Sequence, residues 1–244
     1  MIGLIARRQW CSAFETPLGW TLLAAASVIL TWVLLKLLDG FVGPQALPPT
    51  ALNIALSREL FGTTAVLLLL IMPLLATRTL GAEWRDGTAT LIGSAPLSQA
   101  QWLAGHTLGL VWLSIPLCAL PLLLTMTLLG SAPVDVGAAL AATLGLWLLS
   151  LLFSAVGLFA ASLTTQPAAS MVLAYGLLIM LSIINGVTTI GAEQLSWLDW
   201  LSWNQHLFWF LIGAVRFADT LYFLLLSGLF LALAERQLHN RFDP

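Results

Sequence analysis

Val66-Leu67-Leu68-Leu69-Leu70-Ile71-Met72-Pro73-Leu74-Leu75-Ala76-Thr77-Arg78-Thr79-Leu80-Gly81-Ala82-Glu83-Trp84-Arg85-Asp86-Gly87-Thr88 changes character halfway along. Its first half is apolar and uncharged. Its second half holds four charges within nine residues, and Ala95-Pro96-Leu97-Ser98 then breaks the chain before another apolar run begins. A long apolar run that ends in a patterned polar segment is what a membrane helix entering an aqueous loop requires.

Composition carries the same reading through all 244 residues. Apolar residues make up 59% and charged residues 8%, against roughly 25% charged in ordinary soluble domains. A soluble fold of this size cannot hide so much apolar area, so the solvent is lipid. The net charge of −2 says little about partners, and no nucleic acid is expected among them. Cys11 and Cys118 fall in different segments, and nothing suggests a disulfide or a metal site. The first apolar run is too long for a signal peptide and lacks a small-x-small cleavage site.

Six runs are long enough to span the bilayer as helices: 17–38, 59–77, 103–129, 137–163, 169–190 and 218–235. They are continuous and rich in Leu and Ala, without the alternation of barrel strands. The expected fold is therefore an all-α polytopic membrane protein with a single transmembrane domain over 1–244. Placing the N-terminus inside puts Arg7, Arg8, Arg78, Arg85, Arg236 and Arg241 on the cytoplasmic side and Lys36, Arg58 and Arg216 outside. The positive-inside rule then favours two cytoplasmic termini.

Residues 1–16 precede the first span. Leu4, Ile5, Trp10 and Phe14 alternate at helical spacing with Arg7, Arg8 and Glu15. Two readings fit: an amphipathic helix in the membrane interface, or a positive flank that only sets topology. Pro17 suits the first turn of the following helix. The glycines and prolines of 39–57 predict an irregular outer loop. Pro73, Pro116 and Pro121 predict bends, or a break in the third span. Gly145, Ser150, Ser154, Gly157 and Ala161 approach small-xxx-small spacing, a packing signal. Ser162 to Pro167 reads as a tight inner turn, and 235–241 as a solvated tail. In 191–217, Trp197, Trp200, Trp203 and Trp209 recur around His206, which predicts short helices on or dipping into the outer leaflet.

Several functions are excluded by chemistry. Lys36 is the only lysine and follows Leu34-Leu35, so there is no P-loop and no ATPase site of that kind in this chain. No charged residue lies near the middle of a predicted span, as ion-coupled carriers normally require. His106, His206 and His239 are scattered, and no intramembrane serine-protease motif is present. Uphill movement of anything would draw its energy from a partner. The loop over 81–101 has the content of a docking element: Trp84 and Leu91-Ile92 as anchors, with Glu83, Arg85 and Asp86 as a polar rim. On composition alone it also fits a simple topology anchor, in which Glu83 neutralises Arg78 and Arg85.

A resemblance weighs on that choice. Pro73-x4-Arg78-x4-Glu83-x3-Gly87-Thr88-x2-Leu91-x4-Pro96-Leu97-Ser98, followed by Gly105, resembles the region after the second span of ABC type-2 permeases, in particular the gliding-motility and nitrous-oxide-reductase maturation (GldF/NosY-like) subgroup. Phe14-Glu15-Thr16-Pro17-Leu18-Gly19-Trp20 is similar to the subgroup's entry to the first span, with Thr16 and Trp20 in place of its usual Ser and Tyr. Gly157-Leu158-Phe159-x2-Ser162-Leu163-Thr164-Thr165-Gln166 is similar to its inner turn, where Pro167 is a departure. His206-x3-Phe210-x2-Gly213-x5-Asp219-x2-Tyr222-Phe223-Leu224 is similar to its outer segment.

The resemblance implies a permease half that forms a homodimer in the bacterial inner membrane and carries two copies of a separate ABC ATP-binding subunit. ATP and Mg would bind to that subunit, and no cofactor to this chain. Arg78, Glu83, Trp84, Arg85, Asp86, Gly87, Thr88, Leu91 and Pro96 would form the coupling helix that docks on the ATPase. Arg7, Arg8 and Trp10 would belong to a connecting helix that also touches it. Trp197, Trp200, Trp203 and His206 would face the periplasm, where a partner could dock. Two alternatives stay open: a mechanotransmitter that drives such a partner without transport, and a CcmB-like haem-export permease, for which the His206-to-Leu224 pattern is not expected. The substrate is not legible.

Overall fold

Proline marks where three of the helices begin. Pro17, Pro49 and Pro167 each open a helix, where the missing N–H removes no hydrogen bond and the fixed φ is already helical. The structure is a computed structural model that describes the backbone of residues 2–41, 49–85, 98–130, 132, 134–187 and 200–242, and their side chains except at 18, 49–51, 82–85, 184–187, 241 and 242. In chain order the elements are α1 (Ile2–Glu15), α2 (Pro17–Asp39), α3 (Pro49–Ala55), a π turn (Leu56–Phe61), α4 (Gly62–Arg85), α5 (Gln99–Met126), α6 (Val136–Leu163), α7 (Pro167–Val187), α8 (Trp203–Leu211) and α9 (Phe217–Phe242). No strand occurs among the described residues.

Five stretches are long and apolar enough to cross a membrane: Gly19–Asp39, Leu52–Gly81, Gln99–Met126, Val136–Leu163 and Phe217–Asn240. Apolar side chains line the outside as well as the core. Trp20, Val28 and Trp32 of α2 and Phe217, Leu225 and Leu229 of α9 are all exposed. Helices that are apolar all round belong in lipid, so the molecule has the architecture of a multi-pass helical membrane protein. The helix read over 169–190 is present as α7, and its described apolar part, Pro167–Ile183, is shorter than the others.

Several expectations change. Part of the segment read as an irregular outer loop is helical: α3 and the π turn run straight into α4. Leu52, Leu56 and Leu60 recur every fourth residue and are buried in the core, so packing holds the segment helical despite its prolines. The second helix also continues well past 77, to Arg85. The third is unbroken through Pro116 and Pro121. The tail over 235–241 extends α9, and Leu238 is buried. Pro73 leaves the Leu69 carbonyl without its helical donor; one residue on, the Tyr175 hydroxyl of α7 donates to the Leu70 carbonyl at 2.5 Å and ties α7 to this turn of α4.

α6 is the central helix, packed against α4, α5, α7, α8 and α9. Asp135 caps its first turn by accepting from the Ala138 N–H at 3.1 Å. The small-residue face predicted for it is where neighbours come closest. A Cβ on Gly157 would lie 2.6 Å from Ala76 Cβ and 3.1 Å from Pro73 Cα of α4, and a Cβ on Gly145 would lie 2.6 Å from Phe210 Cβ of α8. Ser114 of α5 and Ser150 of α6 share a hydrogen bond of 2.8 Å. These contacts place α1, the far end of α4, the start of α5 and the α6–α7 turn at one end of the bundle. The start of α6, all of α8 and the start of α9 lie at the other.

Candidate functional site

At the first end, the predicted docking residues fall at the limit of the described chain. Arg78 is exposed on α4, and the backbone of Glu83, Trp84 and Arg85 continues that helix. Asp86, Gly87, Thr88, Leu91 and Pro96 lie outside the described residues, and with them most of the segment expected to form a coupling helix. On the near side, Gly81 lets α4 approach the α6–α7 turn: a Cβ there would lie 3.1 Å from Pro167 Cγ. Pro167 is thus a packing partner of α4. On the far side Ser98 caps α5, accepting from the Gln101 N–H at 3.3 Å.

α1 lies along the first part of α5. Ile5, Ala6, Gln9, Trp10 and Ala13 turn inward at helical spacing, while Leu4, Arg7, Arg8 and Cys11 are exposed. The helical half of the interfacial reading therefore holds, but the division of faces differs: Leu4 shares the outer face with the arginines. Gly105 and Gly109 make the approach close, with Ile5 over the first and Gln9 over the second. Gln9 Nε2 donates to His106 Nδ1 at 2.7 Å, so that nitrogen accepts and the ring's proton sits on Nε2. Trp102 meets the His106 ring edge-on at 5.3 Å. Where α1 turns into α2, Trp20 Nε1 donates to the Phe14 carbonyl at 2.9 Å, and Phe14 also packs on Trp10.

The opposite end holds the densest polar cluster. His206 of α8 and Asp219 of α9 are both buried, at 3% exposure each. His206 Nδ1 and Asp219 Oδ1 are 2.6 Å apart, and His206 Nε2 donates to the Trp200 carbonyl at 2.8 Å. Tyr222 stacks on the imidazole at 3.8 Å, and its hydroxyl donates to the Leu201 carbonyl at 2.6 Å. Trp200 meets both rings edge-on. The second carboxylate oxygen, Oδ2, lies 3.7 Å from Arg216 Nε, and the guanidinium sits 4.5 Å over the Trp209 ring. Gly213, at φ +86°, turns the chain from α8 toward α9 against Ala138.

Of the outer residues singled out in the sequence, the structure brings Trp200 and His206 together. Trp203 is buried instead against Phe153, and Trp197 lies outside the described residues. Asp219 and Tyr222 were not singled out as site residues, although their i, i+3 spacing puts both on one face of α9. Among the described residues no group of three or more His, Cys, Asp or Glu side chains stands close enough to hold a metal ion. Cys11 and Cys118 are free thiols. No protein-family model matches the chain, and no curated protein matches it.

Proposed function

We propose that the chain is the permease subunit of an ABC type-2 transporter, coupling ATP hydrolysis on a separate subunit to export or extraction of a substrate across the bacterial inner membrane. In this reading six helices span the bilayer, both termini are cytoplasmic, two permeases pair, and two ATP-binding subunits carry ATP and Mg. The observation that favours it is the continuity of α4. One helix leads from the buried core past the last apolar turn to Glu83, Trp84 and Arg85, without a hinge residue between Pro73 and Arg85 except Gly81, which is itself packed on Pro167. A motor that grips the α4–α5 connection would move a stiff lever. α1, tied to the start of α5 through Gln9 and His106, would move with it.

The test is co-purification with the cognate ATPase. Wild-type protein retains the ATPase, whereas Glu83→Ala, Trp84→Ala or Gly87→Pro loses it while the permease stays in the membrane. Undiminished retention in all three variants would defeat the proposal. A second reading, a mechanotransmitter driving a periplasmic partner, is favoured by the other end of the bundle. There α8 is joined to α9 by buried polar bonds, which suits the transmission of force to a docked protein. The His206–Asp219–Tyr222 cluster also argues against the CcmB-like alternative, for which that pattern is not expected.

A further inference from the structure

α5 and α6 are both 28 residues long, and the Ser114–Ser150 hydrogen bond of 2.8 Å joins them at their middles. Between that bond and the end of the bundle that carries α8, the outward side of the pair holds a notch of about 400 Å³. Ile115, Cys118 and Ala119 line it on α5, and Leu140, Thr143, Leu144 and Trp147 line it on α6. Steps of three and four residues make each set a single stripe along its helix. Cys118 is buried and Ala119 half-buried, so small side chains form the floor. Ile115, Leu140, Leu144 and Trp147 are exposed and form the rim. Trp147 closes the inner end by reaching across to α5, where its Nε1 donates to the Val111 carbonyl at 3.4 Å.

The lining has nothing to offer a polar occupant. The Thr143 hydroxyl donates to the Ala139 carbonyl at 2.8 Å, and the Trp147 indole N–H is spent on Val111. A bound water needs two to four polar partners, and apolar cavities stay dry. Left empty, the notch would forfeit the dispersion contacts of its lining. Its length is set by the stripe from Leu140 to Trp147, about 10 Å at 1.5 Å per residue. Because it lies in the half of both helices nearer α8, it stays within one leaflet of a hydrocarbon core roughly 30 Å thick.

Two apolar occupants are at hand at that depth, a lipid chain and a second copy of the protein. A stable protein interface takes about 20–30 residues a side, and a helix is about 10–12 Å across. Seven side chains line this notch, which suits a single hydrocarbon chain. We propose that the notch is a binding site for one acyl chain of a phospholipid in the leaflet on the α8 side, seated lengthwise between α5 and α6 with its end against Trp147. The site depends only on α5 and α6 crossing the membrane, and so stands apart from any coupling of α4 to an ATPase.

The test uses the full chain in maltoside micelles, where lipid is scarce, with a phosphatidylcholine that carries a diazirine near the end of one acyl chain. After irradiation, adducts are mapped by peptide mass spectrometry. Adducts on Leu144 and Trp147 should saturate as the photolipid fraction rises and fall when unlabelled phosphatidylcholine is added in excess. Adducts on Val28 of α2, which is 69% exposed on an open helix face, should rise in proportion to the photolipid throughout. Ala119→Phe fills the floor of the notch and should remove the saturable part at Leu144 while leaving Val28 unchanged. Labelling of Leu144 and Trp147 that rises in step with Val28 in the wild type overturns the site, whether or not Ala119→Phe folds. So does saturable labelling that persists in folded Ala119→Phe. Leu144→Cys, in a background of Cys11→Ser and Cys118→Ala, should form no disulfide between two chains; an efficient crosslink that displaces the lipid adduct assigns the notch to a second copy and overturns the proposal.

Discussion

Gly105→Val separates a docked α1 from one that merely lies in the membrane surface. A Cβ at Gly105 would stand 2.9 Å from Ile5 Cβ, 3.0 Å from its Cδ1 and 3.1 Å from its Cγ2. Ile5 is β-branched and holds one χ1 rotamer in a helix, so it cannot swing clear. Overpacking of this kind typically costs about 1–3 kcal/mol. The gain in helix propensity over glycine offsets only a few tenths of a kcal/mol. At ~1.4 kcal/mol per factor of ten, α1 should open roughly three to eighty times more often. Hydrogen exchange in nanodiscs reads this directly, as faster exchange of the α1 amides with α6 amides as the internal standard. Gly3→Val is the control, because nothing lies within 4 Å of a Cβ there. Equal α1 exchange in the two variants, with α6 unchanged in both, would refute the docking of α1 on α5.

Other consequences follow from the same packing and from the proposed topology. Gly157→Val drives a side chain into the α4 backbone at Pro73, which cannot yield as a side-chain tip can; the thermal midpoint should fall well below that of Gly228→Val, which meets nothing within 4 Å. Ser114→Ala should cost much less, about 0.6 kcal/mol, the usual worth of an interhelical hydrogen bond in a membrane. A loss equal to that of Gly157→Val would show that polar bonds, not close approach, hold the bundle. In protein lacking Cys11 and Cys118, a cysteine replacing Ala95 should label only from the cytoplasm and one replacing Gln194 only from outside; the reverse pattern would invert the proposed topology.

The long helices were readable because lipid removes the alternatives: an uncharged run of some 20 residues has nowhere else to go. Their ends were harder. Leu52, Leu56 and Leu60 form a helical stripe, but Arg58 and Glu59 interrupt the hydropathy of that stretch, and its prolines read as breakers. Pro49 signals a stop in the sequence but opens α3 in the structure. α4 likewise outruns its apolar stretch, because a charged helical extension looks in sequence like a loop. The polar clusters were less legible still. His206 and Asp219 are thirteen residues apart, and only the reversal at Gly213 brings them together.

Small residues show most plainly where sequence reading stops. Gly105 and Gly109 are spaced four apart in a membrane helix, as are Ser150 and Ser154, and the pattern alone says the same of both: something comes close. The partners differ in kind. Ser150 meets Ser114 of α5, one long helix against another, within the core. Gly105 and Gly109 instead receive the short α1, whose own sequence reads as a surface helix with arginines toward headgroups. What decides between lipid and protein for α1 is the face carrying Ile5, Ala6 and Gln9. That face includes Gln9, a polar residue that would be poorly placed in hydrocarbon; its Nε2 donates to His106 Nδ1 at 2.7 Å, while its Oε1 is buried without a hydrogen-bond partner. The two residues are 97 apart in sequence, so neither pattern announces the other. A buried amide needs a partner, and here the partner is what ties the amino-terminal helix to the helix that follows the α4–α5 connection.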